Sequence, residues 1–150
     1  MDLPEIFDRT VMPLTYRLGY LVNYYREPLM RDIEGRFGLI RPEWTVLLCL
    51  SAQQGLTASD ICDMTGHLRA AVSRGVGLLE KKGLIERVGD ESDGRRLRLF
   101  LTGRGREVFA RIEPLLQARE DALLARLSAA ERERLRRQLD HLCERVRALD

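Results

Sequence analysis

The stretch DESDGRRLRLFLT, from Asp90 to Thr102, places Arg95 and Arg96 just after Gly94, with the acids Asp90, Glu91 and Asp93 just before it. The chemistry open to guanidinium groups on an exposed turn is the binding of an anion. Arginine at a hairpin tip gains from the strong negative potential of a narrow DNA minor groove. Asp93 lies two residues before Arg95, close enough to hold that guanidinium by a salt bridge and fix its direction. A solvated turn with local charge pairing has the same composition. Arg69, Ser73 and Arg74 form a second group of donors, with Ala70 and Ala71 small beside them. Arginine reads guanine through two parallel hydrogen bonds, and serine reaches a base or a phosphate; an ordinary amphipathic surface helix carries such residues too. Between residues 66 and 106 there are ten basic and five acidic side chains, although the whole chain has a net charge of only +2. The positive charge is therefore local, as on a surface that meets a polyanion.

No catalytic constellation accompanies these residues. There is no Gly-rich phosphate loop after a strand and no nucleophile elbow, and His67 and Ser73 are too far apart along a helix to be assumed to meet. An enzyme is not expected, and no cofactor is implied. The two histidines, His67 and His141, have no ligand spacing, so no metal site is expected. The three cysteines, Cys49, Cys62 and Cys143, are odd in number and match no zinc or disulfide pattern. Cys49 falls in an apolar helix and reads as inert filler. A redox switch through Cys62 or Cys143 is an alternative to weigh. No apolar run approaches the roughly 20 residues needed to span a bilayer, and no leader pattern opens the chain, so a cytoplasmic protein is expected.

The elements that must position the arginines follow from periodicity. A helical pattern runs from Ile6 to about Arg31, with Leu14, Leu18, Leu21 and Tyr25 on one stripe. GLIRP interrupts it, and PEWTVLLCLSAQ reads as a buried helix begun at Pro42. Thr57 caps a short helix with Asp60 in the capping-box position, and Gly66 ends it. In LRAAVSRGVGLLEKKG, Leu68, Val72, Val76 and Leu79 share one face beside Gly75, while Ala70, Ser73, Arg74, Gly77 and Lys81 share the other; Gly83 closes the helix. Two short helices about a tight turn make a helix-turn-helix. LIERV and RLRLFL then read as the two strands of a hairpin. In the second, Leu97, Leu99 and Leu101 face one way and Arg96, Arg98 and Phe100 the other. Thr102 caps a long helical region that Pro114 should kink or interrupt. SAAE restarts a helix at Ser128, in which Leu135, Leu139, Leu142, Val146 and Leu149 step by four, three, four and three, the spacing of a coiled-coil seam. Such a seam requires a partner, either the N-terminal helix or a second chain. The expected fold is mainly α with a small β-hairpin, a winged helix-turn-helix between dimerisation helices.

Five stretches, RPEWTVLLCL, LTASDICDMTG, RAAVSRGVGLLEKKGLIERV, DESDGRRLRLFLTGRGREV and LSAAERERL, resemble MarR-family transcriptional regulators, in one order and over nearly the whole chain. The wing pair Asp93 and Arg95, followed by LT and GR, and the SR…LEKKGLI run are the more specific parts. The resemblance implies one domain over 1–150, with dimerisation helices at 1–33 and 107–150 and a DNA-binding module at 41–102. It implies a homodimer, held partly through Leu14, Leu18, Leu135, Leu139, Leu142 and Val146. That dimer sets two recognition helices in successive major grooves of double-stranded DNA bearing a pseudo-palindromic operator. Arg69, Ser73 and Arg74 match the recognition helix, and Asp93 and Arg95 the wing; Ala70 and Arg96 are candidate DNA contacts beside them. Gly77 departs from the pattern and leaves a contact position without a side chain. Many members are repressors released by a small aromatic ligand held between the dimerisation helices and the winged module. Here that site would take Tyr16, Tyr20, Tyr24, Trp44 and Leu48, with Arg17 anchoring an anionic group; aromatic and leucine positions at helical spacing are more usually core. A dimeric winged-helix module that binds a protein and not DNA is the alternative from another class.

Overall fold

The computed structural model describes residues 2–89 and 96–149. Helix α1 (Leu3–Asp8) opens the chain and α2 (Pro13–Phe37) follows it. One helix was expected here, from Ile6 to about Arg31. The break comes from Pro13, which occupies the first turn of α2 and holds Met12 in a non-helical conformation (φ −135°, ψ 62°). Helix α2 ends where Gly38 adopts φ 65° and its N–H returns to the Glu34 carbonyl at 2.9 Å. Next come α3 (Arg41–Ala52), α4 (Ala58–Thr65) and α5 (Arg69–Lys81). Strands β1 (Ile85–Gly89) and β2 (Leu97–Leu101) form an antiparallel pair in the register Ile85 to Leu101 through Gly89 to Leu97. Helices α6 (Gly103–Leu124) and α7 (Ala129–Val146) complete the described fold, which is mainly helical with a two-stranded hairpin.

The chain forms two units, residues 1–112 and 113–150. The core of the first gathers Ile33, Leu39, Val46, Leu47, Leu50, Ile61, Val72, Leu79, Leu99 and Ile112, all essentially buried. Helix α3 runs through it, as its apolar sequence requires. Helix α5 lies against the start of α3 so closely that a Cβ at Gly75 would sit 2.2 Å from the Pro42 carbonyl oxygen; only glycine permits that approach. The hairpin is tied in by a third backbone segment: Leu99 donates to the Leu56 carbonyl at 2.8 Å, and Gly55 donates to the Leu99 carbonyl at 2.9 Å.

In the second unit Ser128 and Glu131 close a capping box, the carboxylate accepting the Ser128 N–H at 2.8 Å and the hydroxyl accepting the Glu131 N–H at 3.3 Å. Arg132 donates to the Leu124 and Leu127 carbonyls at 3.0 and 3.2 Å, satisfying groups that the end of α6 would otherwise leave open.

Two local expectations are corrected. Of the kink or interruption expected at Pro114, the interruption is absent, because Pro114 lies inside α6. Proline removes one helical hydrogen bond, to the carbonyl four residues earlier, and Pro114 and Ala110 are both exposed, so water can serve that carbonyl. Leu68 does not share the buried face of α5. It is the N-cap, in extended conformation, and is 79% exposed. Leu97 is exposed although Leu99 and Leu101 are buried, because it lies at the end of the strand opposite Gly89.

Candidate nucleic-acid interface

The helix-turn-helix is built from strong local signals. The Thr57 hydroxyl accepts the Asp60 N–H at 3.2 Å, and the Asp60 carboxylate accepts both the Thr57 N–H and hydroxyl at 2.8 Å. The backbone hydrogen bond from Thr57, then the hydroxyl bond, hold the Asp60 carboxyl below its usual pKa, and the positive Arg98 and Arg96 lower it further. Gly66, at φ 67°, stops α4, and only His67 and Leu68 separate it from α5.

The resulting α5 is two-sided. Val72, Gly75, Val76 and Leu79 are buried, while Arg69, Ala70, Ser73 and Arg74 are exposed in its N-terminal half. Two guanidiniums and a hydroxyl on a small-residue face at the start of a helix can hydrogen-bond base edges and phosphates in a major groove. The C-terminal end of α5 is anchored: Lys82 Nζ donates to the Gly38 carbonyl at 2.7 Å and pairs with the buried Glu43 carboxylate. At the hairpin, Arg96 is exposed immediately before β2. Arg98 Nη1 donates to the Gly55 carbonyl at 2.9 Å, so it holds the strand to the loop before α4. Asp93 and Arg95 lie outside the described residues.

The residues suggested for a ligand are distributed over more than one place. Tyr16 and Tyr20 pack on Phe7 with ring centroids 5.5 and 5.2 Å apart, and Tyr20 and Tyr24 are 4.3 Å apart. With Met12, Thr15, Gly19 and Asn23 the three tyrosines line a groove of about 600 Å³. Arg17 is not part of its lining. It donates to the Pro13 and Pro4 carbonyls at 3.0 Å each, pairs with Asp8 at 2.9 Å and lies over the Phe7 ring, so it fastens α1 to α2. Trp44 is buried, parallel to Phe109 at 6.3 Å, and Leu48 is 42% exposed. Neither lines the tyrosine groove.

A different cavity, of about 310 Å³, had no counterpart in the sequence reading. It is lined by Arg26 of α2, by Arg41, Pro42 and Thr45 of α3, by His67 of the turn and by Ala71 and Val72 of α5. Arg26 Nε and His67 Nδ1 are buried with no hydrogen-bond partner among the described residues. These residues come from four segments and share no sequence spacing. The one signal available was that Arg26 and Arg41 bracket a stretch ending in a helix start.

The candidate dimerisation residues are open. Leu14 and Leu18 are exposed on α2, and Leu135, Leu139, Leu142 and Val146 range from 37% to 57% exposed on α7, which has no buried residue. Of the cysteines, Cys49 is buried, which pushes its thiol pKa up, Cys62 is half-buried and Cys143 is exposed.

Comparison with known proteins agrees with this geometry. The MarR family model matches residues 37–96, from the end of α2 to the start of the second strand. An HTH-type transcriptional repressor of Mycobacterium tuberculosis is 32% identical over 130 residues, 87% of this chain and 93% of the repressor. A MarR/EmrR family transcriptional regulator of Acinetobacter sp. ADP1 superposes with a TM-score of 0.82 at 30% identity, over 90% of this chain and 95% of that one. A MarR-family regulator of Listeria monocytogenes, solved in complex with DNA, shares the fold with a TM-score of 0.83 at 20% identity, over 88% of this chain and 87% of that one.

Proposed function

This chain belongs to the MarR family, whose members are transcriptional regulators and not enzymes, and we propose that it is a homodimeric repressor that binds a pseudo-palindromic operator and releases it on binding a small aromatic or anionic ligand. The observation that carries the reading is the two-sided α5. Its inner face is spent on the core, and its exposed N-terminal half offers Arg69, Ala70, Ser73 and Arg74 to a major groove. Residues 41–102 form the DNA-binding module in this reading. Arg96, with Asp93 and Arg95 beyond the described residues, forms the wing that meets the flanking minor groove.

The second chain is supported by the seam. Leu135, Leu139, Leu142 and Val146 recur at coiled-coil spacing and are exposed, which a lone surface helix in water does not favour. Residues 1–33, with Leu14 and Leu18, and 107–150 are the dimerisation segments. The tyrosine groove, with Tyr16, Tyr20 and Tyr24, supports an aromatic ligand. No helix among the described residues is long and apolar enough to cross a membrane, and DNA binding would place the protein in the cytoplasm.

The test is a gel shift of the purified chain against DNA from just upstream of its own gene, at two salt concentrations and with nonspecific competitor. A specific complex that weakens steeply with salt is expected, because phosphate contacts release counterions. Absence of a specific complex there and in a random-sequence selection, with salt-insensitive binding to a protein, would favour a protein-interaction module. Loss of the complex on peroxide treatment, prevented in a cysteine-free variant, would favour a redox switch.

A further inference from the structure

We propose that Leu68, at the N-terminal end of α5, reads thymine: its side chain packs on the C5-methyl group of one thymine for each recognition helix. The inference rests on α5 being the helix that enters the major groove. It assigns a specificity-determining residue there besides Arg69, Ala70, Ser73 and Arg74.

Helical period groups Leu68 with Val72, Val76 and Leu79, yet the core takes those three and leaves Leu68 out. It stands at the N-cap in extended conformation (φ −63°, ψ 142°) and is 79% exposed. Between residues 41 and 102 no other large apolar side chain among the described residues is more than 49% exposed. Arg69 and Ala70, the next two residues, are exposed as well, so Leu68 belongs to the surface that carries the donors.

The residue type is unsuited to its local position. An N-cap favours Ser, Thr, Asp or Asn, whose side-chain oxygen accepts an N–H of the first turn. Thr57 and Ser128 follow that rule, each closing a capping box. The apolar N-caps Met12 and Ile40 are followed by a proline in the first turn, which itself favours a helix start. Helix α5 has neither device. At Leu68 the protomer gains neither a cap nor the burial of an apolar side chain, and the contact that suits the leucine lies outside the protomer.

In a major groove the base edges present donors and acceptors, with one apolar exception, the thymine methyl. Leucine offers no hydrogen bond. Against guanine, adenine or cytosine edges it displaces water without replacing it, which disfavours those bases. Against the thymine methyl both apolar surfaces leave water, which favours that base. Attraction to one base and a penalty against the others act together. Arg69 and Arg74 cannot read this group, because guanidiniums only donate.

The experiment uses the full chain and a duplex recovered by random-sequence selection. Each thymine is replaced in turn by deoxyuridine, which removes only the C5-methyl group. In wild type one position is expected to weaken binding roughly fourfold, the factor for one buried methyl. In Leu68→Ala that position no longer distinguishes thymine from deoxyuridine, while the salt dependence of binding is unchanged. Leu68→Ser restores a capping oxygen, so it is expected to melt higher than wild type and yet to lose the same discrimination. A leucine with a purely structural role would not move stability and recognition in opposite directions. Identical deoxyuridine profiles in wild type and Leu68→Ala overturn the inference. Equal weakening of every duplex by Leu68→Ala also overturns it and assigns the leucine to the sugar–phosphate backbone. A specific complex that needs Arg74 and is indifferent to Leu68 removes this inference alone. No specific complex with any sequence removes the regulator reading and this inference with it.

Discussion

Lys82 Nζ stands 2.5 Å from Glu43 Oε1, an ammonium 39% exposed against a carboxylate that is wholly buried. The other Glu43 oxygen accepts the Ile40 N–H at 2.9 Å, and the ammonium also donates to the Gly38 carbonyl. One cation thus joins the C-terminal end of α2, the N-terminal end of α3 and the C-terminal end of α5. Each charge sits at the helix end whose dipole favours it, the carboxylate at an N-terminus and the ammonium at two C-termini.

Replacing Lys82 by Met leaves Glu43 as a buried charge without a counterion. The expected loss of stability is about 1–3 kcal/mol, less than for a fully buried pair because the ammonium is partly screened by water. Urea denaturation of K82M checks it, and adding E43Q should cost less than the sum of the two single changes. A K82M variant as stable as wild type would mean that solvent carries the Glu43 charge.

Two glycines of α5 should respond in opposite directions to alanine. At Gly75 the new methyl meets the Pro42 carbonyl and must push α5 from α3, a loss of roughly 1–3 kcal/mol. At Gly77 nothing lies within 4 Å, and helix propensity alone predicts a gain of up to about 1 kcal/mol. Thermal melts of G75A and G77A would show the sign of each, and a stable G75A would refute the close approach.

Leu139 and Leu142 lie on the exposed seam of α7, and aspartate at both should abolish a dimer while leaving the helical signal in circular dichroism. Sedimentation velocity reads the outcome. A dimer that survives would mean that the seam serves some other contact.

Arg74→Ala should weaken operator binding by about 1–3 kcal/mol and relax base preference, as for a groove contact. Arg95→Ala should have a similar cost if the wing enters the minor groove. Affinities equal to wild type on the selected operator would remove these residues from the interface.

Asp60 sets an acid limit on α4. Its folded pKa lies below the ordinary 3.8, so the carboxylate contributes fully above that value, and the contribution is lost as pH falls through the lowered folded value. Denaturation of D60N at a series of pH values should show a shallower loss of stability below about pH 4 than wild type. Parallel curves would exclude Asp60 as a contributor.

Much of this protein is determined by residues within four positions of one another. The capping boxes at Thr57 and Ser128, the left-handed stops at Gly66 and Gly83, and the buried face of Val72, Val76 and Leu79 were legible because each rests on a local hydrogen bond or on helical period. The exposed donors of α5 were legible for the same reason, as the complement of its apolar stripe. Local rules failed where neighbours elsewhere, or solvent, had the decisive part: Leu68 left the core because it is itself the extended N-cap of α5, and α6 passed through Pro114 because its surroundings are open to water. Only the tertiary structure decided that Arg17 fastens α1 to α2, that Trp44 packs in the core against Phe109, and that Arg98 holds Gly55. It also decided the pairing of Glu43 with Lys82 and the meeting of Arg26, Arg41 and His67 in one cavity. Those relationships join residues up to 65 positions apart. Periodicity can say that such a side chain leaves its helix on a given face, but the packing of whole helices decides which distant group is there to meet it.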